Sequence, residues 1–263
     1  MSGHSKWATI KHAKGAADAK RGQLFTKFIK EISIAARMGG GDPNSNPRLR
    51  TAILKARAAN MPKDNIDRAI KKGTGELGAT SFEELVYEGF GPGGVAILVE
   101  VLTDNKNRAA ANVRNIFNKT GGNLGTTGSV SRMFERKGVI EFDAEKVSEE
   151  EVMDVALEAG AEDIVTEDGI ITVTTAPNDF TAVMEAFEAK QKPASDDKKK
   201  EEEEDDPWKP LSAEVAMVPS TYQALDAETA AKCDKLTDKL EEDDDVQNVY
   251  TNIEYPEGYE GGE

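Results

Sequence analysis

Residues 193–207, PASDDKKKEEEEDDP, contain no apolar side chain larger than Ala or Pro. Such a run buries too little apolar surface to repay the entropy of ordering it, so it is expected to be a solvated linker. It argues against one long open α/β sheet running through the chain. The 263 residues leave room for two or three bodies.

The periodicity on either side names the elements. Leu24, Phe25, Phe28, Ile29 and Ile32 recur at helical spacing and predict a helix over Ala16–Met38. Asn46 followed by Pro47 is a helix start, and that helix runs to Ala59. A third helix begins near Pro62 and stops at Gly73, with Lys71 and Lys72 late, where the helix dipole favours them. Beyond Gly78 the period changes. Strands are expected at Val95–Leu102, Ser129–Phe134, Val139–Phe142, Asp163–Thr166, Ile170–Thr174, Glu214–Val218 and Val246–Ile253. Helices are expected at Arg108–Lys119, Glu149–Ala159, Phe180–Ala189 and Ala227–Leu240.

With residues 138–207 set aside, the outer pieces read β-α-β then β-α-β, a ferredoxin-like order split by an insertion. The insertion reads β-α-β-β-α, one strand short of the same pattern. The expected fold class is α+β: an N-terminal helical domain and two α/β ferredoxin-like domains, the second inserted into the first. Its boundaries are 1–77 for the basic arm and three helices, 78–136 with 208–258 for the discontinuous α/β domain, 137–192 for the insertion and 193–207 for the linker.

Charge is segregated along this order. The whole chain carries a formal net charge of −16, which by itself argues against a nucleic-acid partner. Residues 1–75, however, hold 16 Lys+Arg against 5 Asp+Glu, residues 76–137 hold 7 of each, and residues 138–263 are net −27. A Debye length of about 8 Å keeps a distant acidic domain from cancelling a local basic one. The N-terminal third is therefore a candidate polyanion surface. In the arm, Lys6, Lys11 and Lys14 alternate with His4, Trp7 and His12. Cations neutralise phosphates and an aromatic ring can stack on an exposed base, which suits single-stranded or folded RNA. A minor-groove arm on DNA would use the same composition. Lys20, Arg21, Lys27 and Lys30 on the first helix, and Arg48, Arg50, Lys55 and Arg57 on the second, complete the candidate nucleic-acid-binding set.

No catalytic constellation stands out. GFGPGG at Gly89–Gly94 precedes a strand rather than following one, so it reads as a turn and not as a phosphate cradle. GGNLGTTGS could allow close approach of a partner to the backbone, although a mobile loop explains it equally well. The acidic run Glu241–Asp245 lacks calcium-loop spacing and reads as solvated charge. Cys233, the single cysteine, reads as helical core filler. The expectation is a non-enzymatic protein with no cofactor and no metal. There is no run of about 18 apolar residues for a membrane span, and the first thirty residues lack a secretion-signal apolar region, so a cytoplasmic location is expected.

Four stretches carry a family resemblance. They are GHSKWATIKHAKGAADAKRGQLFTKFIKEI, GGGDPNSNPRLRTAILKARAANMPKDNIDRAIKKGTG, YEGFGPGGVAILVEVLTDNKNRAAANVRNIFNKTGGNLGTTGSV and AEVAMVPSTYQAL. Together they span nearly the whole chain and closely resemble the YebC family, to which the mitochondrial translational activator of cytochrome oxidase subunit one belongs. Departures are Ala13 and Gln23, where the family usually has a basic residue, and Arg132, where it tends to have an aromatic.

The resemblance implies a three-domain protein that regulates gene expression. One implied role is a ribosome-associated translation factor that helps peptide-bond formation through proline runs. Its partners would then be ribosomal RNA, with basic ribosomal proteins at the acidic domains, and the chain would act as a monomer. The alternative is a DNA-binding transcriptional regulator. A scaffold that holds protein partners through its acidic half is a third reading.

Overall fold

The computed structural model describes residues 18–78, 81–191, 206–259 and 261. Residues 193–205 of the expected linker lie outside the described residues. Among the described residues, three helices come first: α1 (Asp18–Gly39), α2 (Pro47–Ala58) and α3 (Lys63–Gly73). Their apolar stripes meet in one core, where Ile32, Leu49, Ala56 and Ile66 are buried. Asn46 caps α2 by accepting from the Leu49 N–H at 3.1 Å. Its amide also donates to the Ala35 carbonyl at 2.8 Å and the Gly40 carbonyl at 2.9 Å, so one buried side chain closes α1 and opens α2.

Two α/β assemblies follow. The first has strands β1 (Glu83–Phe90), β2 (Ala96–Thr103) and β3 (Asn123–Leu124), with helix α4 (Lys106–Lys119) between β2 and β3. The second has β4 (Phe134–Asp143), α5 (Glu149–Ala159), β5 (Ala161–Glu167), β6 (Ile170–Thr175), α6 (Phe180–Glu188) and β7 (Ser212–Pro219). The chain then returns to the first assembly with β8 (Gln223–Ala224), α7 (Ala227–Glu241), β9 (Val246–Thr251) and β10 (Ile253–Glu254).

The second sheet is wholly antiparallel in the order β5-β6-β4-β7. With β-α-β-β-α-β connectivity, that is a complete ferredoxin-like sheet. This corrects the expected boundaries at 136/137 and 208. Phe134–Asp143 is one continuous strand, and Ser212–Pro219 pairs with it from Glu141↔Ser212 to Phe134↔Pro219. The strand that the insertion lacked therefore comes from beyond the charged linker. Trp208 also belongs to this core, stacking on Phe187 with centroids 6.1 Å apart. The β5–β6 hairpin turns through Asp168 and Gly169, at φ 51° and 81°, the left-handed pair that a two-residue hairpin requires. Met133–Tyr222 forms one compact unit, interrupting another that includes the helices and the first sheet.

The first sheet has the order β3-β1-β2-β9. Ile97, Val99 and Val101 of β2 face α4 and α7 in a buried core with Val113, Phe117, Leu236 and Leu240. The opposite face receives Ile34 of α1, which buries Leu102 together with Phe82. β1 answers to no expected strand. The strand expected at Ser129–Phe134 is absent from this sheet: Ser131–Met133 is a 3-10 turn, and the strand begins only at Phe134, in the second sheet.

Candidate nucleic-acid interface

Among the described residues, the N-terminal cations do not form one open face. His4, Lys6, Trp7, Lys11, His12 and Lys14 lie outside the described residues. Lys20 and Arg21 sit on the first turns of α1, and their side chains likewise lie outside the described set.

The next two cations turn inward, against expectation. Lys27 Nζ donates to the Glu241 carbonyl at 2.7 Å. Lys30 Nζ donates to the Asp244 carbonyl and to Asp245 Oδ1, both at 2.7 Å, and the residue is only 9% exposed. Gln23 adds a bond to the Glu242 carbonyl at 3.2 Å. The run that reads in sequence as solvated charge is thus the anchor of α1. Its buried end, Asp245, also takes Arg108 Nε at 3.1 Å and Nη2 at 2.8 Å. Burial works to raise the Asp245 pKa, but hydrogen bonds from Lys30 and Arg108 outweigh it and hold the carboxyl below its ordinary value. Burial pushes the Lys27 ammonium below its ordinary value, with Glu241 and its acidic neighbours opposing the shift.

A cleft of about 570 Å³ lies beside this junction, lined by Thr26, Lys30, Phe82, Arg108 and Asn112 and by Glu242–Asp245. Four consecutive carboxylates at its wall repel phosphate, so Lys27 and Lys30 are withdrawn from the candidate set for a physical reason.

The α2 cations divide. Arg48 Nε donates to Glu31 Oε1 at 2.7 Å, and its Nη2 pairs with Glu84 of β1. Burial opposes its charge, yet the bonds to Glu31 and Glu84 prevail and raise its pKa. Arg48 therefore ties α2 to α1 and to the first sheet. Arg50 and Lys55 are half-buried and engaged within the protein. Arg57 is exposed at the last turn of α2, and Lys63, Arg68 and Lys71 are exposed along α3. The expectation named four cations on α1 and four on α2. Of those with described side chains, Lys27, Lys30 and Arg48 are spent on internal partners, Arg50 and Lys55 are engaged within the protein, and Arg57 stands exposed beside the α3 cations that the expectation left out. Hydrophobic periodicity marks which helix face is apolar, but it cannot show that an acidic turn more than 200 residues away covers the other face.

The remaining chemistry is internal. Cys233 is buried, its thiol lies 3.3 Å from the Pro92 carbonyl, and burial pushes its pKa up to about 12. A thiol so protonated is a poor nucleophile. Gly91–Gly94 forms the tight turn into β2, with Gly91 N–H bonded to the Val95 carbonyl at 2.8 Å. Among the described residues, no helix is long and apolar enough to cross a membrane.

Comparison with known proteins bears on what this interface is for. The model for the TACO1/YebC N-terminal domain matches residues 5–76, and the model for the TACO1/YebC second and third domain matches residues 82–253. A probable transcriptional regulatory protein of Treponema denticola is 73% identical over 99% of this chain and 99% of its own length. One from Treponema pallidum is 68% identical over 97% of this chain and 98% of its own. The crystal structure of a conserved hypothetical protein from Aquifex aeolicus superposes with a TM-score of 0.80 at 48% identity, covering 96% of this chain and 98% of that one. Two family models that together cover most of the sequence, and relatives this similar end to end, show that the chain belongs to the TACO1/YebC family.

Proposed function

We propose that this chain is a non-enzymatic regulator of gene expression that grips RNA through its basic N-terminal region and acts on the translating ribosome, relieving stalls at proline-rich sequences. The observation that carries this reading is the charge layout: residues 1–75 are net +11 in a chain of net −16. Phosphate contacts by such a region supply affinity without reading base edges. The polar side chains that α1 adds to its cations are few, and Gln23 is spent on the Glu242 carbonyl. Sequence discrimination in a DNA groove needs side chains free to reach base edges. The acidic remainder faces basic ribosomal proteins, and the chain works as a cytoplasmic monomer without a cofactor.

The test is reconstituted translation of a message with a proline run, with and without the protein. Pausing at the run is expected to shorten when the protein is added. Unchanged pausing would end this reading. The names carried by the Treponema relatives favour a second reading, regulation of transcription through DNA. Competition between a promoter and random duplex at fixed salt separates the two, because specific DNA recognition requires an affinity ratio well above one.

A further inference from the structure

The Gly-rich loop between α4 and β4 is not the mobile connector that its composition suggests. Glu88 of β1 is buried, at 5% exposure, and its carboxylate accepts from three main-chain N–H groups of the loop. Gly128 donates to Oε1 at 2.7 Å, and Val130 and Ser131 donate to Oε2 at 2.7 and 2.8 Å. The Glu88 carbonyl takes the Gly125 N–H at 2.7 Å as well. Burial alone would raise the Glu88 pKa, but these N–H groups outweigh it and hold the carboxyl below its ordinary value. Gly121 and Gly128 sit at φ 79° and 85°, and a Cβ on Gly122 would come within 2.9 Å of the Phe90 carbonyl oxygen, so the path of the loop depends on glycine. A charged side chain and several glycines are thus committed to the shape of a segment whose tip, Gly125–Gly128, is exposed.

The sequence on either side of that tip carries one sign of charge. Residues 105–134 contain five Lys and Arg and not one Asp or Glu. Two of the five are used internally, Lys106 on Glu83 and Arg108 on Asp245. Lys119 stands exposed on the last turn of α4, just before the loop, and Arg132 stands exposed just after it. Phe90, at the end of β1 and paired in register with Asn123, keeps 36% of its surface in solvent. Small hydroxyl residues at a rigid tip, two flanking cations and an exposed ring are the components of a single-strand RNA contact, in which cations take phosphates and a ring stacks on a base.

We propose that the loop at 121–131, with Lys119, Arg132 and Phe90, is a second RNA-contact surface, separate from the basic N-terminal region. It rests on the RNA-binding reading above and adds a surface to it. Glu88 is a positioning residue here: it shapes the loop and does not touch the partner.

The test uses the full chain and a single-stranded RNA oligonucleotide, with affinity followed across a salt series. The Lys119→Ala/Arg132→Ala double variant is expected to bind about tenfold more weakly at 0.15 M salt, with its log–log salt slope reduced by about 1.4. Phe90→Ala is expected to weaken binding about tenfold with the slope unchanged, because stacking releases no counterions. Glu88→Gln, checked for folding by circular dichroism, should weaken binding with the slope kept, since no cation is removed. If the double variant and Phe90→Ala both bind as the unaltered chain does, this surface is overturned while RNA binding by the N-terminal region stands. If the unaltered chain binds no RNA at all, both readings fall together.

Discussion

Asp245 and Glu88 are both buried carboxylates kept charged, but by different means. Asp245 is held by side-chain cations, Lys30 from α1 and Arg108 from α4. Glu88 is held by main-chain N–H groups of the Gly-rich loop. The first arrangement removes cations from the surface and leaves an acidic wall beside the cleft. The second spends no cation, so those around the loop remain exposed in solvent. A count of Lys and Arg along the sequence credits Lys27 and Lys30 to the surface, although both turn inward at the Asp245 junction. Charge available to a polyanion is what remains after internal pairing, and pairing depends on what the fold brings alongside.

The largest expected effect that would break this contrast is at Asp245. Asp245→Ala leaves Lys30 buried without its carboxylate and should cost about 3–5 kcal/mol of stability by denaturant unfolding. A cost below about 1 kcal/mol would mean that α1 is not anchored there. Glu88→Gln keeps the shape but removes the charge that three N–H groups face, and should cost about 1–3 kcal/mol.

Acid titration sharpens the comparison. Both carboxyls have pKa values below their unfolded ones, so each contributes stability that is present above about pH 4 and lost as pH falls through the lowered folded value. The unaltered chain should therefore lose stability steeply below about pH 4, and Glu88→Gln should lose less over that interval. Equal slopes would show that Glu88 is not held charged by the loop. The smallest expected effect is at Lys27. Its ammonium gains a carbonyl but gives up water, so Lys27→Ala should change stability by under about 1 kcal/mol and leave the RNA salt slope untouched. A fall in that slope would return Lys27 to the surface that meets nucleic acid.

Much of the fold is legible in the sequence because it rests on local pattern. The Asn46-Pro47 helix start, the two strands that flank Asp168-Gly169 and the helix at Glu149–Ala159 appear where periodicity and capping chemistry put them. β1 is not legible, because Glu83, Glu84 and Glu88 break up its apolar alternation, and Glu88 faces a loop whose N–H groups replace water. The home of Ser212–Pro219 is not legible either. Strand pairing across a charged linker is a non-local choice, and Val215 fits a core on either side of the linker equally well as a sequence symbol. In the candidate interface, residue type identifies cations correctly as a class, but Lys30 and Arg48 acquire partners 215 and 36 residues away. No window along the chain contains that information.

The most direct measurement of whether the N-terminal cations grip RNA is the salt dependence of binding by the intact chain carrying Lys6→Ala, Lys11→Ala and Lys14→Ala together. The slope of log K against log salt should fall by about 0.7 for each phosphate left without its lysine, or about 2 in all, with the fold unchanged by circular dichroism. An unchanged slope and affinity would contradict it.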